Sequence, residues 1–64
     1  MKIKVIIDGK TKKLELSKPI TILELAEKLN IVLPCFIVKV NGKIVPEDDE
    51  AMGTIEFVRI TSGG

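Results

Sequence analysis

Histidine, tryptophan, tyrosine and glutamine are absent from the 64 residues, and cysteine occurs once, at Cys35. A single thiol excludes an internal disulfide framework. Without histidine the usual zinc ligand sets are excluded as well, so no metal site and no bound cofactor are expected. A chain that dispenses with disulfides fits a reducing, cytoplasmic setting. Two phenylalanines, Phe36 and Phe57, are too few for a base-stacking platform. A net charge of +1 argues against a dedicated nucleic-acid binder. The longest apolar run, Ile31 to Val38, is broken by Pro34 and is too short to span a membrane. Met1-Lys2-Ile3-Lys4 alternates instead of forming the apolar core of a signal peptide. No paired-carboxylate signature and no phosphate-cradling glycine loop is present, so no catalytic residue is expected and the chain reads as a non-enzyme.

What is present is pattern. A chain this short buries only about 60 % of its unfolded surface, so its local signals must agree with one another. Ile3, Val5 and Ile7 alternate with Lys2, Lys4 and Ile6, the period of a strand with one buried face. Asp8-Gly9 follows, a two-residue hairpin signal, because both positions of a type I′ turn need φ > 0. Lys12 to Leu16 alternates again, with Leu14 and Leu16 inward. Thr21 and Glu24 make a capping box, and Ile20 and Leu25 a hydrophobic staple. Ile22, Leu25, Ala26 and Leu29 then recur at helical spacing, predicting a helix over 22–29 that Asn30 ends.

Ile31 to Pro34 is expected to plug one end of the core. Cys35 to Val40 reads as a third strand with Phe36, Val38 and Val40 inward and Cys35, Ile37 and Lys39 outward. Asn41-Gly42 is a second hairpin turn, and Lys43 to Val45 a short returning strand stopped by Pro46. Glu47 to Glu50 lacks the glycine and spacing of a calcium loop and reads as a solvated acidic loop. Thr54 to Ile60 is the last strand, with Ile55 and Phe57 inward and Glu56, Val58 and Ile60 outward. Arg59 shares the inward parity and is expected beyond the core edge. One helix crossing one sheet makes a two-layer α+β domain over 1–60, followed by a flexible tail, 61–64.

Three blocks carry a resemblance: the helix entry Thr21-Ile22-Leu23-Glu24-Leu25, the hairpin Val40-Asn41-Gly42-Lys43-Ile44-Val45-Pro46, and the ending Ile55 to Gly64. Together they make the chain similar to the ubiquitin-like β-grasp sulfur carriers of the ThiS/MoaD family, more to the thiamine type than to the molybdopterin type. It departs from them in a short Pro46–Thr54 segment and in a turn reduced to Met52-Gly53. The resemblance implies a mixed sheet of four to five strands with one helix packed across it. It also implies a protein co-substrate. A partner of the ubiquitin-activating type would spend ATP to adenylate the Gly64 carboxylate, and sulfur would replace AMP to give a thiocarboxylate. A sulfur-accepting enzyme, such as a thiazole synthase, would follow; molybdopterin and tRNA thiolation are the other pathway types. Gly63, Ser62 and Thr61 would be the tail recognised by the activating site, with no membrane and no direct nucleic-acid contact. Glycine suits that role because it lacks a Cβ and approaches other atoms closely. Two other readings stay open: a modifier joined through Gly64 to target lysines, and a β-grasp domain that acts by docking alone.

Outward parity gathers Ile6, Ile37, Val58 and Ile60, with Cys35 near them, into an expected partner-docking stripe rimmed by Lys2, Lys4, Lys39 and Glu56. The competing reading is scattered surface apolar residues, which are ordinary. Cys35 has no histidine to activate it and reads as a small packing residue. The lysines among the first twenty residues read as protection of an exposed strand edge, or as steering toward an acidic partner face. Asn41-Gly42 reads as a turn and nothing more.

Overall fold

The computed structural model describes residues 1–60; Thr61, Ser62, Gly63 and Gly64 lie outside them. The chain runs β1 (Lys2–Ile7), β2 (Lys10–Glu15), α1 (Ile22–Lys28), a 3-10 turn (Leu33–Cys35), β3 (Phe36–Val40), β4 (Lys43–Ile44) and β5 (Thr54–Arg59). The sheet order is β2-β1-β5-β3-β4. β1 and β5 are parallel and the other pairs antiparallel, so this is the mixed five-stranded sheet of a β-grasp domain.

Both hairpins form as their turn residues require. Asp8 and Gly9 have φ of 50° and 78°, and Asn41 and Gly42 have 50° and 85°. α1 joins β2 at one side of the sheet to β3 on the other, crossing β1 and β5, and β5 later inserts between β1 and β3, parallel to β1. The capping box of α1 is complete: the Thr21 hydroxyl accepts from the Glu24 N–H at 3.1 Å and the Thr21 N–H donates to Glu24 Oε1 at 2.9 Å. Asn30, at φ 57°, ends the helix in the left-handed region. Ile22, Leu25 and Ala26 are buried against Ile3, Val5, Val38, Ile55 and Phe57 on the inner sheet face. Ile20 and Leu16 close the helix entry, and Ile20 and Leu25 are both buried as a staple requires.

Four readings need correction. Cys35 is not in β3 and is not a core packing residue; it closes the 3-10 turn, where its N–H donates to the Val32 carbonyl at 3.0 Å, and it is exposed. Pro34 at the start of that turn presets its φ and breaks the strand alternation there. The apolar connection plugs the core only in part: Ile31 and Leu33 pack against it, whereas Val32 is 64 % exposed. The acidic segment is not merely solvated. The Asp49 and Glu47 carbonyls accept from the Ile22 and Leu23 N–H groups at 2.8 and 2.9 Å, satisfying donors that every helix start leaves free. Thr21 bridges to Glu50, and Ala51 is fully buried with its N–H on the Ile20 carbonyl. Finally, Asn41 does more than turn. Its side-chain oxygen accepts from the Thr54 N–H at 3.3 Å and lies where a Cβ on Gly53 would meet it at 2.9 Å. Gly53 itself sits at φ 67°, so both its conformation and this close approach require glycine.

The hydrogen bonds from the Thr21 backbone and hydroxyl hold the Glu24 carboxyl below its ordinary value of 4.5, with Lys18 adding a smaller attraction. A depressed carboxylate stabilises the native state above its unfolded pKa and loses that contribution as pH falls through the folded one. Glu24→Gln should therefore flatten the acid limb of stability below about pH 4.5, read by urea denaturation across pH. Thr21→Ala should cost about 1 kcal/mol near neutral pH. An acid limb unchanged in Glu24→Gln would show that the capping carboxylate does not set it.

Candidate docking face and C-terminal exit

The register decides what the outer sheet face presents. Ile37 stands directly opposite Val58, and Lys39 opposite Glu56. On the other flank of β5, Ile6 stands opposite Glu56, which places it diagonal to Val58. The Ile60 N–H donates to the Cys35 carbonyl at 2.9 Å, carrying the ladder one residue past β5. Ile60 thus continues the outer row that runs Glu56, Val58, Ile60. Ile37 is 39 % and Ile60 50 % exposed, while Ile6 and Val58 are half-buried by their neighbours. The four stripe residues therefore lie on one face around Val58, with Glu56 and Lys39 at their flank.

One apolar member was missed. Ile44, 70 % exposed, stands opposite Lys39 and so shares the outer face. The signal was available, because a two-residue hairpin over Asn41-Gly42 pairs Lys39 with Ile44, and paired residues point the same way. No part of the expected tail site can be placed, since Thr61, Ser62, Gly63 and Gly64 fall outside the described residues. What is placed is the point of departure, at Ile60.

Arg59 lies at the core edge, as its parity and position require. Its guanidinium sits 4.9 Å from the centre of the Phe36 ring and 3.3 Å from Asp8 Oδ2 in the first hairpin turn. Phe36 in turn meets Phe57 edge-on, with ring centres 6.2 Å apart. A cation over an aromatic face and a carboxylate beside it hold Arg59 from two sides. The 3-10 turn, the β1–β2 turn and the end of β5 thereby meet where the chain leaves the sheet. Exposed Cys35 lies next to this exit through its carbonyl, in a shallow pocket that Arg59 also lines.

The arrangement contains no cleft with converging acid and base groups among the described residues. Its chemistry is that of a surface: an apolar stripe with mixed charge at its rim, ending at the exit of the chain. No helix among the described residues is long and apolar enough to cross a membrane.

Asp8 and Arg59 are each about half exposed, so their ion pair is worth at most about 1 kcal/mol. Asp8→Asn, which keeps the turn, should therefore change stability by less than that, whereas Phe57→Ala should cost about 3–5 kcal/mol. Equal losses for the two in urea denaturation would contradict this division.

Comparison with known proteins gives the chain a family. No curated protein matches the chain. The crystal structure of the thiamine biosynthesis protein ThiS from Geobacter metallireducens superposes with a TM-score of 0.66 at 19 % identity, covering 95 % of this chain and 99 % of that one. The ubiquitin-like domain of Plasmodium falciparum Dsk2 gives 0.66 at 21 % identity, covering 94 % and 97 %. A solution structure of a Geobacter metallireducens thiamine biosynthesis protein gives 0.62 at 18 % identity, covering 95 % and 87 %. At these identities the likeness is one of fold. Membership comes from the sequence pattern of the ThiS family, which matches residues 4–64 and so runs through the apolar strands, the exit and both final glycines: the chain belongs to the ThiS family.

Proposed function

We propose that this chain is a sulfur carrier, a protein co-substrate whose C-terminal glycine carries the reacting group. The observation that carries the reading is that the family match extends through Gly63-Gly64 to the last residue. A carboxylate is a poor electrophile because its charge is delocalised over two oxygens. Attack of a Gly64 carboxylate oxygen on the α-phosphorus of ATP releases pyrophosphate and leaves an acyl-adenylate. A persulfide sulfur on the partner then displaces AMP to give an acyl disulfide, and attack of a second thiol of the partner on its S–S bond leaves a disulfide there and releases the glycyl thiocarboxylate. ATP belongs to the activating partner, and this chain supplies only the acyl group.

Ordering a tail inside a narrow site has an entropic cost, which contacts made elsewhere must offset. The outer face is the surface suited to that task. Ile6, Ile37, Val58 and Ile60 dock an activating enzyme of the ubiquitin-activating type, while Thr61, Ser62 and Gly63 thread toward its nucleotide. A sulfur-accepting enzyme, of the thiazole synthase kind or similar, then meets the loaded carrier. Such chemistry belongs inside the cell, where ATP is available.

Intact-mass measurement on protein isolated from its own cells tests the reading. Replacement of one oxygen by sulfur on the chain ending in Gly64 is the expected result. Conjugates bearing glycine remnants on target lysines would favour a protein modifier, and full function after deletion of Gly64 would favour a docking domain. For the face itself, Ile37→Glu and Val58→Glu should each raise the KM for adenylation about tenfold, a loss of about 1.4 kcal/mol. An unchanged KM in both variants, with the fold intact by circular dichroism, would remove the stripe from the reading.

A further inference from the structure

The outer face has a second half. Toward the start of β5 it carries no apolar stripe. Lys4 stands directly opposite Lys13 on β2 and opposite Thr54 on β5. Like charges facing each other across a ladder are destabilising. The other charged cross-strand pairs of this face are matched, Lys2 with Glu15 and Lys39 with Glu56. Lys4 and Lys13 are both exposed, and no lysine forms an ion pair among the described residues. With Lys2, Ile3, Leu14, Glu15, Gly53 and Thr54 they line a groove at the end of the sheet away from the chain exit, and its one carboxylate, Glu15, is taken by the N-terminal ammonium at 3.5 Å. Edge protection does not account for Lys4, because β1 is an interior strand flanked by β2 and β5.

We propose that Lys4 and Lys13 form a basic subsite that receives an acidic segment of the protein partner docked on the outer sheet face. Charge complementarity names the segment, since the groove's lysines outnumber its one carboxylate, which the N-terminus already holds, and so call for further carboxylates. Geometry names the class of partner. From Thr54 to Ile60 the sheet extends roughly 20 Å at ~3.3 Å per residue, so one molecule covering both halves has the reach of a protein interface. An apolar row ending at Val58 and Ile60 does not suit a phosphate backbone, which would need cations along its whole path. The inference rests on the docking reading of the outer face. It adds the second contact, which fixes the direction in which the partner lies along β5 and hence which end meets the chain exit.

Two measurements separate this subsite from the reading beneath it. The first uses the full chain, labelled with nitrogen-15, titrated with a hexaglutamate peptide at low salt. Amide shifts should centre on Lys4, Lys13 and Thr54, and the Lys4→Gln/Lys13→Gln variant should bind several-fold more weakly. The Lys10→Gln/Lys12→Gln variant, with the same loss of charge on the same hairpin, should bind as before. Equal shifts at Lys10, Lys12, Lys18 and Lys28, or equal weakening in the two double variants, would overturn the proposal. So would an oligothymidylate that binds the groove more tightly than the peptide. The second measurement is pyrophosphate exchange by the activating enzyme of the same organism. Lys4→Gln/Lys13→Gln should raise the KM for the carrier at low salt without lowering kcat, and added salt should erase the difference. Its melting temperature should not fall, because the change removes a repulsion. A KM unaltered at low salt overturns the subsite, whereas the absence of exchange with the unaltered chain overturns the carrier reading and leaves the peptide titration standing.

Discussion

Everything in this domain hangs on β5 lying between β1 and β3. It pairs parallel with the first strand and antiparallel with the third, so the last strand in sequence is the middle one in space. Its inner side supplies Ile55 and Phe57 to the core beneath α1, and its outer side supplies Glu56 and Val58 to the face. A central strand loses its ladder on both flanks if it leaves, which makes it the most firmly held strand of the sheet. The Arg59 contacts with Phe36 and Asp8 add to that hold at the exit.

The opposite end of β5 is held as carefully. Gly53 turns with positive φ, its carbonyl accepts from the Lys4 N–H at 2.9 Å, and the Asn41 side chain closes over it to take the Thr54 N–H. These contacts set the register of β1 against β5. Register in turn decides which outer residues are neighbours, since a slip of one residue would turn the whole outer set inward. The surface chemistry therefore depends on backbone hydrogen bonds made at a turn roughly 20 Å from the exit, at ~3.3 Å per residue.

Local signals in the sequence were sufficient wherever one residue's conformation or one element's periodicity decided the outcome. Asp8-Gly9 and Asn41-Gly42 need positive φ and have it. Thr21 and Glu24 form a capping box because their spacing allows two reciprocal bonds. Alternation placed Val5, Ile55 and Phe57 inward, where they are buried. Elsewhere the signals competed. Cys35 looked like the start of a strand because it precedes an alternating run, yet Pro34 favours a tight turn there. The carbonyls of Glu47 and Asp49 cap α1 across twenty-five or so residues of chain, and no local pattern announces a backbone acceptor. Ala51 is buried because that segment folds back on the helix entry, a consequence of tertiary contact and not of its small side chain.

By itself, the sequence determined the hairpins, the capped helix, the inward and outward parity of the four longer strands and, through its family pattern, the kind of protein this is. Those properties follow from steric limits on φ, from side-chain spacing and from residue identity, all of which are local. Only the tertiary structure decided the strand order and register. Pairing between residues 4 and 54, or 37 and 58, is a choice among many combinations that cost similar loop entropy and differ in core packing. That choice placed Ile37 beside Val58, laid Ile6 beside Glu56 and diagonal to Val58, and set Lys4 beside Thr54.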